Sequence, residues 1–173
     1  LLYLGREALG VRDVALHATP AMHAYLRANA PWRDLEEQGR VRCLPNDAVD
    51  LGGIVVRAFQ VPHRNEHGDT VGYRIEGPRR TVLFLPDIDS WDAWDEDVRD
   101  VVAGVDVAYL DATFHSADEL PGRDPREVPH PLVTDTMARL ARVADRVRLI
   151  HLNHTNPLLD DATPATSRGF RVA

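Results

Sequence analysis

The chain has 173 residues, 44% of them hydrophobic, which is typical of one globular domain with a sizeable core. Its 20 basic and 27 acidic residues give a formal net charge of −7, which argues against a nucleic acid or an anionic membrane surface as the main partner. All 20 basic residues are arginine, and the lack of lysine excludes Schiff-base enzymes and phosphate-loop proteins, which need a lysine amine.

The first half of the sequence alternates between strands and one helix. Residues 13–18, DVALHA, predict a short strand, after which Thr19 as N-cap and Pro20 at the first helical position begin a helix. Three further strands are predicted from apolar runs bounded by glycine and proline, at GIVVRAFQVP (53–62), TVGYRIEG (70–77) and TVLFLP (81–86). The centre of the chain is therefore expected to be rich in β-structure.

A second helix is predicted after the last of these strands. Apolar residues recur at helical spacing from Trp91 to Val102, Ser90 stands at the expected N-cap, and Gly104 marks the expected end. This helix would lead into the next strand of a layered α/β fold.

The second half continues the alternation. VDVAYL (105–110) and RVRLIHL (146–152) predict strands, and the apolar residues between 137 and 144 predict a third helix before the second of them. The proline-rich segment ELPGRDPREVPHP (119–131) is the one long loop. Long loops in compact domains tend to carry function, so we expect this loop to lie near a site.

Metal-ligand or acid–base residues stand where four apolar strands end. His63 follows FQVP, Asp87 and Asp89 follow VLFLP, Asp111 follows VAYL, and His151 follows RLI. Loops at the carboxyl ends of strands converge in layered α/β proteins, and the sheet holds them rigidly. A polar residue at any single strand end is common, but four such ends together favour a functional site.

The mixture of imidazole and carboxylate groups indicates the kind of site. These ligands suit a divalent ion such as zinc, manganese or iron(II), and a lone cysteine, Cys43, argues against a structural zinc–thiolate site. The expected site is therefore catalytic, with positions open to water and substrate. Asp87 and Asp89 also resemble the aspartate pair of haloacid-dehalogenase-like phosphatases, but that family holds its phosphoryl group with a lysine, which this chain lacks.

Three segments carry a resemblance to a known family. They are FQVPHRNEHGDTVGYRIEGPRRTVLFLPDID (59–89), VDVAYLDATFHSADELPGRDPREVPHP (105–131) and IHLNHTNPLL (150–159). Together they resemble the branch of the metallo-β-lactamase superfamily that includes the pyrroloquinoline quinone biosynthesis protein B. The resemblance covers nearly the whole chain, and HLNHTNP and LPGRD…PHP are its more specific motifs.

The resemblance implies an α/β (α+β) fold, the metallo-β-lactamase-like four-layer αββα sandwich, with the site at one edge of its two sheets. It implies a single domain over residues 1–173 that corresponds to the C-terminal two-thirds of that fold. The superfamily's first ligand cluster, two or three histidines with an aspartate before a helix, has no counterpart here. LLYLGREALG resembles the helix that follows it, so we expect a chain that is incomplete at the N-terminus.

By position, the resemblance assigns three metal ligands. His63 matches the histidine on the first metal, Asp87 the aspartate that bridges two metals, and His151 the last histidine, on the second metal. The implied cofactor is a divalent metal at two sites in the complete protein, with zinc expected first and manganese or iron as alternatives.

Three further residues receive catalytic roles from the resemblance. His130 and His154 resemble accessory histidines that act on the leaving group or bind phosphate. Asp111 resembles an acid that contacts the metal ligands without binding the metal itself. For both histidines, a hydrogen-bonded loop residue without a catalytic role is an equally open alternative.

The implied reaction is hydrolysis. Two cations would lower the pKa of a bridging water and polarise the bond attacked, while His130 or His154 assists the leaving group. One alternative is an Fe(II)-dependent oxygenase acting on a peptide in pyrroloquinoline quinone biosynthesis, and another is a non-catalytic carrier or partner protein. We expect a small-molecule or peptide substrate, no nucleic acid, no membrane, and a cytoplasmic location, with a homodimer left open.

The sequence also makes geometric predictions. His63, Asp87 and His151 should converge with ligand atoms roughly 4 to 6 Å apart, as a shared two-metal site requires. His130 should face the metals from its loop. His151 is expected inside the last strand, whereas His154 should lie on a turn that follows it.

Overall fold

The computed structural model describes residues 2–46, 48–66, 68–122, 124 and 127–173. The chain forms two compact units, the first of Leu1–Val49 with Asn65–Asp69 and the second of Asp50–Arg64 with Thr70–Ala173. Helices alternate with strands in both units, so the mixed α/β class predicted from the sequence is confirmed. None of the helices in the described ranges is long and apolar enough to cross a membrane.

The first unit is a pair of parallel strands joined through two helices. Its elements are β1 (Val14–His17), α1 (Pro20–Ala28), α2 (Trp32–Glu37) and β2 (Val41–Leu44), and β1 pairs with β2 in parallel. The predicted cap of α1 is confirmed, because the Oγ1 atom of Thr19 accepts a hydrogen bond of 3.1 Å from the backbone N–H of Met22. Leu26, Leu35 and Val41 supply the buried apolar side chains of this unit.

The second unit is built on one large sheet, in the strand order β3-β4-β5-β6-β7-β8-β9. Its strands are β3 (Val49–Asp50), β4 (Val55–Gln60), β5 (Val71–Glu76), β6 (Thr81–Leu85), β7 (Val107–Asp111), β8 (Val147–Ile150) and β9 (Arg171–Val172). The pairs β4–β5 and β5–β6 are antiparallel, whereas β6, β7, β8 and β9 pair in parallel. The parallel half therefore brings the carboxyl ends of successive strands to one edge of the sheet.

The helices α3 (Val98–Ala103), α4 (Val133–Arg139) and α5 (Thr163–Thr166) lie in the connections between the parallel strands. One face of β6, β7 and β8 is buried against the core of the unit. Its side chains are at most 1% exposed: Leu83, Leu85, Ala108, Leu110, Val147 and Leu149. Each large aliphatic side chain buried in this way stabilises the fold by about 1.5 to 3 kcal/mol, so the strand ends rest on a rigid base.

The predicted second helix is wrong at its start. The structure begins α3 at Val98, with Asp97 as the N-cap, and residues 91–96 are not helical. Trp91 has apolar spacing typical of a helix, but its buried ring is anchored elsewhere, since Nε1 donates a 2.9 Å hydrogen bond to Oγ1 of Thr136. Ser90 accepts a hydrogen bond from the N–H of residue 92 and so closes a local turn.

The predicted third helix is divided. The α-helix α4 ends at Arg139, and residues Ala141–Arg146 follow as a 3₁₀ segment in which Val143 has φ −130, a value outside the helical range. A 3₁₀ winding advances about 2.0 Å per residue against 1.5 Å in an α-helix. The longer rise carries the chain from the buried Leu140 to the buried first residue of β8, Val147.

Candidate metal centre

The exits of β6, β7 and β8 bring the predicted residues together in the second unit. Leu85 at the end of β6 pairs with Leu110 of β7, and Asp111 pairs with Ile150 at the end of β8. Asp87 and His151 follow within two residues of these pairs. The register of three parallel strands thus places one carboxylate or imidazole at each exit, on the same edge of the sheet.

Asp111 is the centre of the hydrogen-bonding network at this edge. Its side chain is fully buried, and each carboxylate oxygen accepts two hydrogen bonds. Oδ1 accepts from N–H and Oγ1 of Thr113, at 2.9 and 2.7 Å, and Oδ2 accepts from N–H of Ile88, at 3.1 Å, and Nδ1 of His130, at 2.7 Å. The carboxylate is saturated by protein donors.

These contacts keep Asp111 ionised. Burial by itself raises the pKa of its carboxyl, but the hydrogen bonds from His130 and Thr113, together with the nearby ring of His151, outweigh burial and lower the pKa to about 2. Because an ionised carboxylate only accepts hydrogen bonds, His130 must donate from Nδ1. The Nε2 atom of His130 is therefore the nitrogen left to act as a ligand or a base.

His151 is fixed by a second partner of Asp111. The Oγ1 atom of Thr113 donates its one proton to Asp111. It can therefore only accept a hydrogen bond from Nδ1 of His151, which lies 3.0 Å away. His151 therefore carries its proton on Nδ1 and leaves Nε2 free. The carboxylate of Asp111, 3.9 Å from this ring, raises the pKa of His151.

The prediction that His151 lies inside the strand is wrong. β8 ends at Ile150, and His151 has φ +62, in the left-handed region that few residues other than glycine occupy. Such backbone strain of about 1 to 3 kcal/mol persists only where the surroundings impose it, and here the turn aims the ring at Thr113. The strand positions the preceding residue, and the turn positions the imidazole.

Asp87 is the carboxylate whose hydrogen bonding is incomplete. Its Oδ1 atom is buried and has no hydrogen-bond partner among the described residues, and Nδ1 of His130 lies 3.7 Å from it. Its Oδ2 atom lies 3.3 Å from Nε2 of His63. A buried oxygen without a partner costs free energy unless a donor or a cation satisfies it.

His63 faces Asp87 from the exit of β4. Its Nδ1 atom lies 2.6 Å from Oδ1 of Asp89, and its ring is only 12% exposed. The imidazole rings of His63 and His130 have centroids 5.9 Å apart, and those of His130 and His151 6.1 Å apart. Three imidazoles therefore surround Asp87, with His130 in the middle.

His130 comes from the long loop, between Pro129 and Pro131, and its side chain is 8% exposed. The ring contacts Phe114 edge-on, with centroids 5.8 Å apart. Residues 123, 125 and 126 of this loop lie outside the described residues. The prediction that the loop as a whole lies near the site therefore stays a prediction. The position of His130 is nevertheless set by its bond to Asp111.

His154 stands apart from this group. It is exposed, and its Nδ1 atom lies 3.1 Å from Oδ1 of its neighbour Asn153. The turn that carries it is tied to the loop after β7, because Oγ1 of Thr155 donates to Oε2 of Glu119 at 3.0 Å. The other oxygen of Glu119 accepts hydrogen bonds from the backbone of His115 and Ser116. His154 is thus held by the turn and not by the buried network.

The donor set fits a divalent cation. One ligand-type atom from each of Asp87, Asp111, His130 and His151 lies within 4.8 Å of the other three. Asp111 is the least suited of these because its oxygens already accept four hydrogen bonds, whereas Asp87 has an oxygen without a hydrogen-bond partner among the described residues. Imidazole with carboxylate is the ligand chemistry that zinc, manganese and iron share.

The sequence identified the main residues but not their supports. The structure brings His63, Asp87, His130 and His151 together with Asp111, and it leaves His154 on an exposed turn. The roles given to these six residues stay predictions. Thr113 was not predicted, although a threonine two residues after a buried aspartate, as in DAT, is a common local hydrogen-bonding pattern.

Comparison with known proteins places the chain in a family. A family model described as "Beta-lactamase superfamily domain" matches residues 4–154. The coenzyme PQQ synthesis protein B of Cupriavidus necator is 28% identical over 138 residues, which are 69% of this chain and 44% of that protein. The chain therefore spans less than half the length of this relative.

Solved structures show the same fold. A diphosphatase of the PhnP family matches with a TM-score of 0.62 and 17% identity, over 98% of this chain and 59% of that one. The metallo-β-lactamase fold protein YhfI of Bacillus subtilis matches with a TM-score of 0.58 and 13% identity, over 99% and 67%. An isothiocyanate hydrolase from Delia radicum gut bacteria matches with a TM-score of 0.53 and 13% identity, over 93% and 64%. The predicted metallo-β-lactamase-like fold is confirmed, and the single-domain organisation stays a prediction.

The family model covers most of the chain, and it includes every residue of the candidate metal centre. The resemblance to the branch with the coenzyme PQQ synthesis protein B, predicted from the motifs, is also supported. The chain belongs to the beta-lactamase superfamily domain family.

Proposed function

We propose that the protein is a metal-dependent hydrolase whose Asp87, His63 and His151 hold divalent cations beside the substrate. The observation that carries the proposal is the buried Oδ1 atom of Asp87, which has no hydrogen-bond partner in the part of the chain that the structure describes and lies among three imidazoles. In all three of these imidazoles, Nδ1 faces a protein oxygen and Nε2 is left as the ligand atom. Such a group is costly to bury in the absence of a cation and well suited to one.

The residues around Asp87 have different roles in the proposed site. Asp111 and Thr113 hold the rings of His130 and His151, which would keep those rings from rotating during turnover. When bound, the cations would supply Lewis acidity, which lowers the pKa of water and polarises the bond to be cleaved. His130 and the more exposed His154 are the groups that could move a proton to the leaving group.

The named relatives support hydrolysis as the reaction class. Two of the similar solved proteins are called a diphosphatase and an isothiocyanate hydrolase. Their substrates differ, so the fold alone does not select one. We propose a small-molecule or peptide substrate and, because of the net charge of −7, no nucleic-acid or membrane partner. We propose a cytoplasmic location because the lone Cys43 cannot form an internal disulfide. Light scattering of the complete protein would test the homodimer.

Metal content and hydrolysis of the complete protein test the proposal together. We expect elemental analysis to find two zinc or manganese ions per chain, and we expect hydrolysis of at least one class among phosphodiesters, isothiocyanates and β-lactams. Removal of metal by chelation should abolish the activity, and added zinc or manganese should restore it. Hydrolysis that persists in the chelated protein would contradict the proposal.

A second candidate is an Fe(II)-dependent oxygenase in pyrroloquinoline quinone biosynthesis. The specific observation in its favour is the 28% identity to the coenzyme PQQ synthesis protein B, together with a histidine and carboxylate donor set that also suits iron(II). Bound iron, with oxygen uptake that depends on a tyrosine-containing peptide, would select this candidate. A complete protein that binds no metal would instead support the non-catalytic carrier.

A further inference from the structure

We infer that Asp89 is a positioning residue that holds the His63 ring with its proton on Nδ1 and its Nε2 atom towards Asp87. Through this contact Asp89 sets the affinity of His63 for a cation. The inference rests on the proposed metal centre, because it concerns how one predicted ligand is presented. Neither the family match nor the names of the relatives assign a role to this residue.

The geometry of His63 is the primary observation. Its Nδ1 atom lies 2.6 Å from Oδ1 of Asp89, and its Nε2 atom lies 3.3 Å from Oδ2 of Asp87. The two nitrogens therefore face two different carboxylates on opposite sides of one ring. The side chains are mostly buried, at 12% exposed for His63 and 26% for Asp89, so water competes weakly for this hydrogen bond.

The backbone holds Asp89 in place for this contact. Its N–H donates a 2.8 Å hydrogen bond to the carbonyl of Pro62, the residue that precedes His63. The residue before it, Ile88, is fully buried and donates its own N–H to Asp111. The exit of β4 and the exit of β6 are thus joined at Asp89 by one backbone bond and one side-chain bond, which leaves the carboxylate little freedom to turn away.

The same arrangement recurs at the other two imidazoles. Nδ1 of His130 meets a carboxylate, and Nδ1 of His151 meets the hydroxyl of Thr113, which is itself held by a carboxylate. A partner on Nδ1 fixes the tautomer and the ring orientation, and a charged partner raises the basicity of the free nitrogen. Asp89 is therefore to His63 what Asp111 is to His130.

A local structural role for Asp89 is weaker than this one. The sequence predicted a helix with Ser90 as its N-cap, for which an acidic residue near the start would be favourable, but residues 90–97 are not helical and α3 begins at Val98. Asp89 is also not one of the four residues whose ligand-type atoms lie within 4.8 Å of one another, and its Oδ1 atom already pairs with Nδ1 of His63. Orientation of His63 is the role that accounts for both its position and its bond.

The test uses Asp89→Ala and Asp89→Asn, with Asp95→Asn as the matched control, because Asp95 is an exposed aspartate in the same connection. In the complete protein, competition with a chromophoric chelator should show zinc affinity reduced about 10- to 100-fold by Asp89→Ala. Asp89→Asn should lose less, since an amide oxygen can still accept from Nδ1 without the charge. The control should match the parent, and the number of ions bound at saturation should not change in any variant.

A second measurement keeps the inference separate from the proposed hydrolysis. Long-range ¹H–¹⁵N spectra of the metal-free protein should show His63 protonated on Nδ1 in the parent and shifted towards the Nε2–H tautomer in Asp89→Ala. This readout needs neither metal nor substrate, so it stands even if hydrolysis is not found. An unchanged tautomer overturns the inference, as does zinc affinity within twofold of the parent. Loss of one bound ion in Asp89→Asn also overturns it, because Asp89 would then be a ligand.

Discussion

Asp87 follows β6, and Asp111 ends the neighbouring parallel strand β7 at the same edge of the sheet, yet their surroundings are opposite. Asp111 is fully buried, and protein donors use both of its oxygens twice. Asp87 is partly exposed, and it keeps a buried oxygen that has no hydrogen-bond partner in the described part of the chain. A carboxylate whose oxygens are all hydrogen-bonded therefore builds the site, whereas one with an unsatisfied oxygen is available to a cation.

Asp111→Asn should have the largest effect and should act on folding. The amide would place a donor against groups that already donate, so several buried N–H and O–H groups would lose their acceptor. We expect the free energy of unfolding of the metal-free protein, measured by urea denaturation, to fall by about 3 to 5 kcal/mol. The exposed Asp145→Asn is the control. A loss below about 1 kcal/mol would show that Asp111 does not build the site.

Asp87→Asn should give the complementary result. Because Oδ1 of Asp87 has no partner in the described residues, removing its charge should leave the free energy of unfolding of the metal-free protein within about 0.5 kcal/mol of the parent. Zinc affinity should fall by more than about 100-fold, beyond the range typical of residues that only support a ligand. Equal zinc binding by parent and variant would contradict the assignment of Asp87 as a ligand.

Asp111 should make the free energy of unfolding depend on pH in the acidic range. Its pKa of about 2 in the folded protein lies below the ordinary 3.8, so its stabilising contribution is complete above about pH 5 and is lost as pH falls towards 2. Measured in metal-free protein, the difference in unfolding free energy between the parent and Asp111→Asn should therefore narrow by about 2 kcal/mol between pH 5 and pH 2. If this difference in unfolding free energy stays constant between pH 5 and pH 2, the pH dependence does not arise from Asp111.

Thr113→Val should lower the free energy of unfolding by less than Asp111→Asn does. The substitution removes the donor to Asp111 and the acceptor for His151 while keeping the shape of the side chain. We expect a loss of about 1 to 3 kcal/mol in unfolding free energy. Thr113→Ser retains the hydroxyl and should recover most of it, which separates the hydrogen bonds from packing. A serine variant as unstable as the valine variant would favour packing instead.

His154→Asn should have the smallest effect, because this ring lies outside the buried network. We expect unchanged metal content and at most about a 100-fold loss of activity, whereas His151→Ala should lose tight binding of one ion. His130→Ala should lower turnover while metal content stays near normal. Elemental analysis of the three variants checks the order. Loss of metal in the His130 variant would make that residue a ligand.

Much of the fold could be predicted from the sequence, because apolar periodicity and turn residues are local signals. The strands at 53–62, 70–77, 81–86 and 105–110 follow such signals and are confirmed. The start of the second helix was not predictable in this way. Trp91 has helical spacing, but its indole N–H finds Thr136, which lies 45 positions further along the chain, and that contact overrides local propensity.

The polar residues at the strand exits could be identified from the sequence alone, since each follows an apolar run that must be buried. His63, Asp87, Asp111 and His151 could be singled out on that basis. Their division into two kinds depends on tertiary contacts. Asp111 is saturated by donors from residues 88, 113 and 130, whereas Oδ1 of Asp87 has no such donor among the described residues. Hydrogen bonding between distant segments is set by packing and register, which no local pattern in the sequence encodes.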